Sequence, residues 1–341
     1  MNELNPIVPP AAITPAPDYK DRSGGLVVFG VLTILLGVVS GMMVPFMLLG
    51  QLMNARNPGG PGASLTMLLP VLLMYAGMAA ILIWLGIGSI KARRWARALL
   101  LIFAWSWLII GVITMAAMMV VFPKLLANIN SNVPAGQQGV PPAALGVILV
   151  ITGLILGFIF ILIPAVWIFF YGSRHVKATC EARDPVRRWT DVCPLPVLAM
   201  SLWLWFAVPM LALMPVAYHA VAPFFGSFLT GAPGALFYLA MAAVWGWAGW
   251  RIYRLDVRAW WVLLAVLLLF SASSLLTYTH HDLVEMYRLM GYPEAQLEQM
   301  QKSGLLTGNY MAWLTGCSMV PFLGYLLFVK RYLRKAFKGE K

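Results

Sequence analysis

Eight apolar stretches, each of about twenty residues or more, run through this chain, and that length decides what it can fold into. They lie near Leu26 to Gly50, Ser64 to Ile90, Ala98 to Phe122, Ala143 to Gly172, Leu195 to Ala222, Gly234 to Tyr253, Ala259 to Thr279 and Tyr310 to Val329. None carries Asp, Glu, Lys or Arg in its central portion; Arg251 sits near one end of the sixth. A helix crosses about 30 Å of hydrocarbon with about 20 residues because every backbone N–H and C=O is then satisfied inside the segment. Composition points the same way. Residues are 61% apolar before 30 Gly are added, and 11% are charged, against about 25% in soluble domains. No water-soluble globule has the interior to hide that surface. The expected fold is an all-α polytopic membrane helix bundle, and disordered, collagen-like and disulfide-scaffold classes are excluded.

Orientation follows from the basic residues, which resist translocation. Lys20, Arg22, Lys91, Arg93, Arg94, Arg97, Arg174, Lys177, Arg183, Arg187, Arg188, Arg251, Arg254, Arg258, Lys330, Arg331, Arg334, Lys335, Lys338 and Lys341 fall on one side of the eight spans. Only Arg56, Lys124, Arg288 and Lys302 fall on the other, so both termini are expected in the cytoplasm. The net charge of +12 is then a topology signal and an attraction to anionic lipid head groups, and it needs no nucleic acid. Residues 1–24 read as a Pro-rich, disordered cytoplasmic arm, because prolines deny it a helix and it lacks apolar bulk. It does not read as a secretory signal: there is no basic n-region, and the first apolar run is span length with no A-x-A-like site.

The landmarks of residues 25–172 recur in 195–330, which suggests two tandem four-span repeats sharing one orientation. Pro164 is followed by Arg174 and Lys177 as Pro321 is by Arg331 and Arg334, and Arg94-Trp95 resembles Arg258-Ala-Trp260. A basic linker, 173–194, joins the halves, a helical cap spans 281–303, and a basic tail runs through 331–341. All tryptophans but Trp313 fall on the cytoplasmic side of the span midpoints, while Met42, Met43, Met47, Met115, Met118 and Met119 lie toward the other. Trp95, Trp189, Trp250, Trp260 and Trp261 suit an interfacial belt. Trp105, Trp107, Trp203, Trp205, Trp245 and Trp247 lie deeper and are expected to pack the bundle, with plain lipid-facing bulk as the alternative. Small residues at Gly37/Gly41, Gly153/Gly157 and Ala242/Gly246 permit close helix approach, read first as packing within the chain and second as a dimer seam.

Ionisable groups gather near a membrane boundary at the far end of the seventh span, with Ser274, Thr277, Tyr278, His280, His281, Asp282 and Glu285. His281 and Glu285 are four apart and would share a helix face, continued by Ser274 and Tyr278. With Asp282, and His219 from the fifth span, His281 and Glu285 are the candidate metal ligands; the plain alternative is a wet helix end. The linker offers His175, Cys180 and Cys193, which would need Asp184 or Glu181 to complete a zinc site. Arg183 with Asp184, and Arg188 with Asp191, suggest local ion pairs there. No nucleotide loop, nucleophile elbow, HExxH or paired intramembrane carboxylates occur, and no cofactor is implied.

The stretches Tyr171-Gly-Ser-Arg-His-Val-Lys-Ala-Thr-Cys-Glu-Ala-Arg-Asp-Pro and Met286-Tyr-Arg-Leu-Met-Gly-Tyr-Pro-Glu-Ala-Gln resemble segments of uncharacterised bacterial multi-pass membrane proteins. That resemblance implies a bacterial inner membrane and nothing about mechanism. Two function classes stand: a binding or assembly protein for lipid or another membrane protein, and a transporter or channel for a neutral or apolar solute. A membrane enzyme using His280 to Glu285 comes third. Spans empty of charge argue against a proton- or sodium-coupled pump of charged substrate, because intramembrane charges cost about 2.5–3.5 kcal/mol and persist where ions must move.

Overall fold

The computed structural model describes residues 19–55, 65–131, 141–302 and 308–337. The arm through residue 18, the last residue of the expected cap and tail residues 338–341 lie outside the described residues. The chain is a helical bundle: α1 (Ser23–Ala55), α2 (Leu65–Ile90), α3 (Arg94–Ser131), α4 (Pro142–Gly157) running through a π turn into α5 (Ile163–Gly172), α6 (Arg174–Arg183), α7 (Leu195–Ala217), α8 (Gly231–Tyr253), α9 (Val257–His280), α10 (Leu283–Leu289), α11 (Glu294–Lys302) and α12 (Gly308–Phe337). Among the described residues, six helical segments are long and apolar enough to cross a membrane, in α1, α2, α3, α4–α5, α7 and α9. The other two expected spans are the helices α8 and α12.

The fifth segment stops five residues short of the expected Ala222. His219 and Ala220 take φ of 52° and 56°, which ends the helix. Ala222–Phe224 (β1) then pairs antiparallel with Ser227–Leu229 (β2), an addition to an otherwise helical fold. Phe225 at φ 39° and Gly226 at φ 88° form the two-residue turn, whose positive dihedrals match strand twist. The linker is ordered, as local ion pairs there would make it, and it holds the helix α6. Ser173 caps α6, accepting a hydrogen bond from the His175 amide.

Helices pair in the same way in each half: α1 with α2 and α3 with α5, then α7 with α8 and α9 with α12. One constant shift in numbering relates α2–α3 to α8–α9. Ala92 and Leu255 are both left-handed, at φ 49° and 62°, and both end a helix with the same two bonds. Ala92 N–H reaches Ser89 O and Arg93 N–H reaches Gly88 O; Leu255 N–H reaches Ile252 O and Asp256 N–H reaches Arg251 O. The buried residues Ala79, Ala96, Leu100 and Ala104 correspond under that shift to buried Ala242, Ala259, Leu263 and Leu267. Close approaches correspond too. Gly30 meets Gly86, and Gly37 meets Ile83, where the second half has Ser201 bonded to Gly249 and Val208 against Gly246. At the fourth helices, burial pairs Trp167 and Tyr171 with Val329 and Leu333, not Pro164 with Pro321, since Pro164 is buried and Pro321 exposed.

Pro164 has a further effect. It has no amide and its ring collides with the carbonyl four residues back, so the helix loosens into the π turn Phe158–Leu162, where Ile163 N–H bonds Phe158 O. The freed Phe160 carbonyl lies against Gly111 of α3, a position that a side chain would fill.

Two buried clusters form the core. One joins Leu26, Leu85, Ala92, Leu100, Leu101, Ala104, Trp167 and Tyr171; the other joins Val197, Leu204, Ala248, Ile252, Ala259, Trp260, Leu263, Leu326, Val329 and Leu333. Ile102 of α3 belongs to the second cluster, and Trp203 Nε1 donates to Ser106 Oγ at 2.8 Å, so the halves are joined. Both clusters lie at the end where the basic segments meet. Arg22 N–H bonds Thr179 Oγ1, Arg183 pairs with Asp21, and Tyr253 hydroxyl donates to Trp189 O.

Among the deeper tryptophans, Trp105, Trp203, Trp205 and Trp247 are exposed, as lipid-facing bulk would be, while Trp245 packs on the second cluster. The small-residue pairs also divide: Gly37 and Gly41 pack on α2, but nothing described lies against Gly153 or Gly157.

Candidate functional site

At the end opposite the basic segments, the hairpin tip is clamped to α9. Small hydroxyls four residues apart make this possible. Phe225 N–H donates to Ser273 Oγ at 2.9 Å and Gly226 N–H to Thr277 Oγ1 at 3.1 Å. The next position in that row is His281, whose Nε2 lies 3.1 Å from Gly226 O. Its Nδ1 lies 2.8 Å from Glu285 Oε2, so both ring nitrogens face acceptors. A neutral imidazole can donate to one of them and an imidazolium to both. Glu285, then the Gly226 carbonyl, hold the His281 pKa above its ordinary value, against the opposing effect of burial.

This geometry corrects two expectations. His281 is extended and ends α9, so His281 and Glu285 meet across a break between α9 and α10, not along one helix. The stripe toward the membrane is Ser273 and Thr277, not Ser274 and Tyr278. Ser274 Oγ is buried and without a partner, and Tyr278 hydroxyl contacts Met286 Sδ.

Of the candidate metal ligands, the structure brings His281 and Glu285 into contact. Asp282 stands at the N-cap of α10, and His219 is exposed in the turn after α7. Among the described residues, no group of three or more His, Cys, Asp or Glu side chains is arranged to hold a metal ion. A cleft of about 630 Å³ lies alongside, lined by Tyr278, His280, His281, Asp282, Glu285, Arg288 and Gln301 among others. Its arginine is bound across the cap, with Arg288 Nε 3.1 Å from Glu294 Oε1.

At the basic end, His175 Nδ1 accepts from the Lys20 amide, and Cys180 and Cys193 are buried in separate clusters. Burial pushes both thiols up to about 11, so they stay protonated at neutral pH. The side chain that organises this end is Asp184, 2% exposed. Burial alone would raise its pKa. The Arg188 hydrogen bond at 3.1 Å, the Arg94 amide and the charge of Arg93 outweigh that and hold it low. The expected pairing of Arg183 with Asp184 is replaced, because Arg183 reaches Asp21; Asp191 pairs with Arg94 at 3.4 Å while also accepting from the Arg188 amide.

Two contacts were not expected from the sequence, Asp184 as an anchor for Arg93 and Arg188 and Lys330 as a partner of Trp260 and Trp261. The place of Asp184 between Arg183 and Arg187-Arg188 was a signal for the first; nothing in spacing pointed to the second. The chain matches no family model, no curated protein and no solved structure.

Proposed function

We propose that this membrane protein spans the bilayer eight times, as two four-helix units in one orientation with both termini and the basic segments in the cytoplasm of a bacterial inner membrane. Its role in this reading is binding or assembly, holding lipid or the helix of a partner. The matching helix pairs and the two identical helix-ending turns support the duplication. The cap, the uneven distribution of basic residues and the alternation of helices support eight spans.

The observation that carries the functional reading is the α4–α5 helix. It is the most apolar of the six, yet none of its most apolar stretch is buried, and Gly146, Gly153 and Gly157 have nothing against them among the described residues. In a bilayer such a face meets lipid or another helix, and small residues let a helix come close. Photo-crosslinking in cells from a probe replacing Leu154 tests this; a discrete protein or lipid adduct is the expected result. Facilitated flux of a neutral solute into proteoliposomes, with no adduct at that position, would instead establish the transporter reading. Reporters active only in the cytoplasm, fused after Lys341 and within 174–193, should both give signal. Signal from a fusion within 284–303 would end the eight-span proposal.

A further inference from the structure

We infer that Lys330 forms the centre of a site for the phosphate of an anionic phospholipid, built by the second half alone. The proposal rests on the membrane reading above. Lys330 Nζ lies 4.0 Å from the ring centre of Trp260 and 4.1 Å from that of Trp261. The two indoles are edge to face with centres 4.8 Å apart, and Trp260 is locked by its Nε1 donating to Leu326 O at 2.7 Å. The ammonium therefore has a fixed position on a rigid platform. Ring faces attract a cation without neutralising it, and among the described residues Lys330 has no carboxylate within ion-pair distance. Its three N–H donors remain able to take anionic oxygen.

The surroundings select lipid over free phosphate. Trp261 is 54% exposed, and Leu327 and Phe328 on the adjoining turn of α12 are exposed as well. A headgroup bound at Lys330 thus has apolar side chains beside it to receive glycerol and acyl chain, an arrangement of no use to a soluble ion. The linker and the first half's basic turn show what a neutralised cation looks like: there Arg93, Arg94, Arg183 and Arg188 all meet carboxylates.

The test uses the full chain in neutral detergent, with bound lipid counted by native mass spectrometry. The probes are phosphatidylglycerol, phosphatidylcholine and inorganic phosphate. Lys330→Gln should weaken phosphatidylglycerol binding about fivefold, the worth of one basic residue at an anionic surface, and leave phosphatidylcholine unchanged. Trp261→Leu should weaken it too, Lys330→Arg should restore it, and Lys91→Gln, an equal loss of charge on the first half, should do nothing. Inorganic phosphate should fail to displace the lipid. Equal losses from Lys330→Gln and Lys91→Gln, an unchanged affinity in Lys330→Gln, or displacement by phosphate would each overturn the site. Should Lys330→Gln fail to fold, Trp261→Leu and Lys330→Arg decide. The α4 crosslinking result is independent of all these outcomes.

Discussion

Beneath the basic end of the first half, Tyr171 hydroxyl lies 2.7 Å from Ser89 Oγ, which donates to Leu26 O at 2.9 Å. At the corresponding positions the second half has Leu333, Ile252 and Val197, all buried and all apolar. At the surface the two differ in degree: linker carboxylates bind Arg93 and Arg94 of the first half, while in the second Arg251 pairs with Asp256 and Trp faces carry Arg254 and Lys330. One helix plan accepts either a polar or an apolar interior, because helix–helix fit depends on where small and large residues alternate more than on their polarity. The polar version carries a risk that the apolar one does not, since each buried polar atom must keep its partner.

The largest expected difference between the halves comes from their glycine crossings. A methyl at Gly86 would lie 2.6 Å from Gly30 O, a backbone atom that cannot turn aside. A methyl at Gly249 would meet Trp205 at 2.8 Å, an exposed side chain that can. Gly86→Ala should therefore cost about 1–3 kcal/mol and Gly249→Ala clearly less. Thermal unfolding in detergent reads this, and equal losses would show that the two crossings do not differ in the way described.

A double-mutant cycle sharpens the contrast in the core. Ser89→Ala takes from the fully buried Tyr171 hydroxyl its partner at 2.7 Å, leaving it only Thr33, and should cost about 1–3 kcal/mol. Tyr171→Phe leaves Ser89 still donating to Leu26 O, so it should cost about 1 kcal/mol or less. The double variant imitates the second half and should be milder than Ser89→Ala alone. If the two single losses simply add, the hydroxyl pair is not coupled.

At the surface, Asp184→Asn should destabilise by about 1 kcal/mol, a modest figure because Arg93 and Arg188 keep much of their exposure to water. High salt should shrink the difference between wild type and variant. A loss that persists at molar salt would mean that Asp184 acts through its amide hydrogen bond and not through charge.

How much of this could be read beforehand depends on which physical constraint each feature obeys. Span length is written directly into apolar runs: six of the expected runs are helices long and apolar enough to cross a membrane among the described residues, and the boundaries at Ile90, Gly172 and Tyr253 fell where expected. The correspondence in packing between the two halves does not follow the sequence landmarks. Proline and tryptophan catch the eye, but the constrained positions are the buried ones, so Arg97 stands opposite Trp260, and Trp167 opposite Val329. The left-handed turns at Ala92 and Leu255 use no glycine and left no mark in the sequence. At the candidate site, the proximity of His281 to Glu285 was legible from spacing, whereas Gly226 as the third member was not, because a contact between residues 55 apart is set by the hairpin fold. Phe225-Gly226 between short apolar runs was the one available sign of that hairpin, and an apolar reading that extended the fifth span over Ala222 concealed it.

The smallest expected effect concerns that clamp, which has no described counterpart in the first half. Because the folded His281 pKa is raised, the imidazolium form stabilises the fold: its contribution is fully present below about 6.5 and is lost as the pH rises through the folded value. Cys180 and Cys193, pushed up to about 11, do not titrate in that window and cannot account for the change. Titratable groups beside His281 are His280, Asp282, Glu285 and Tyr278, with Arg288 tied to Glu294, and the hairpin itself carries no titratable side chain. Loosening should begin at the hairpin tip, where the imidazolium holds the Gly226 carbonyl and the α9 hydroxyls hold the Phe225 and Gly226 amides. Amide exchange at those two residues, corrected for the intrinsic pH dependence of exchange, should lose protection between pH 6 and pH 8 in the wild type. In His281→Gln, which keeps a donor but cannot titrate, the corrected protection should be flat. Equal slopes in the two proteins would show that the hairpin is held by Ser273 and Thr277 alone, and that the imidazole contributes packing against Phe228 and no charge-dependent bond.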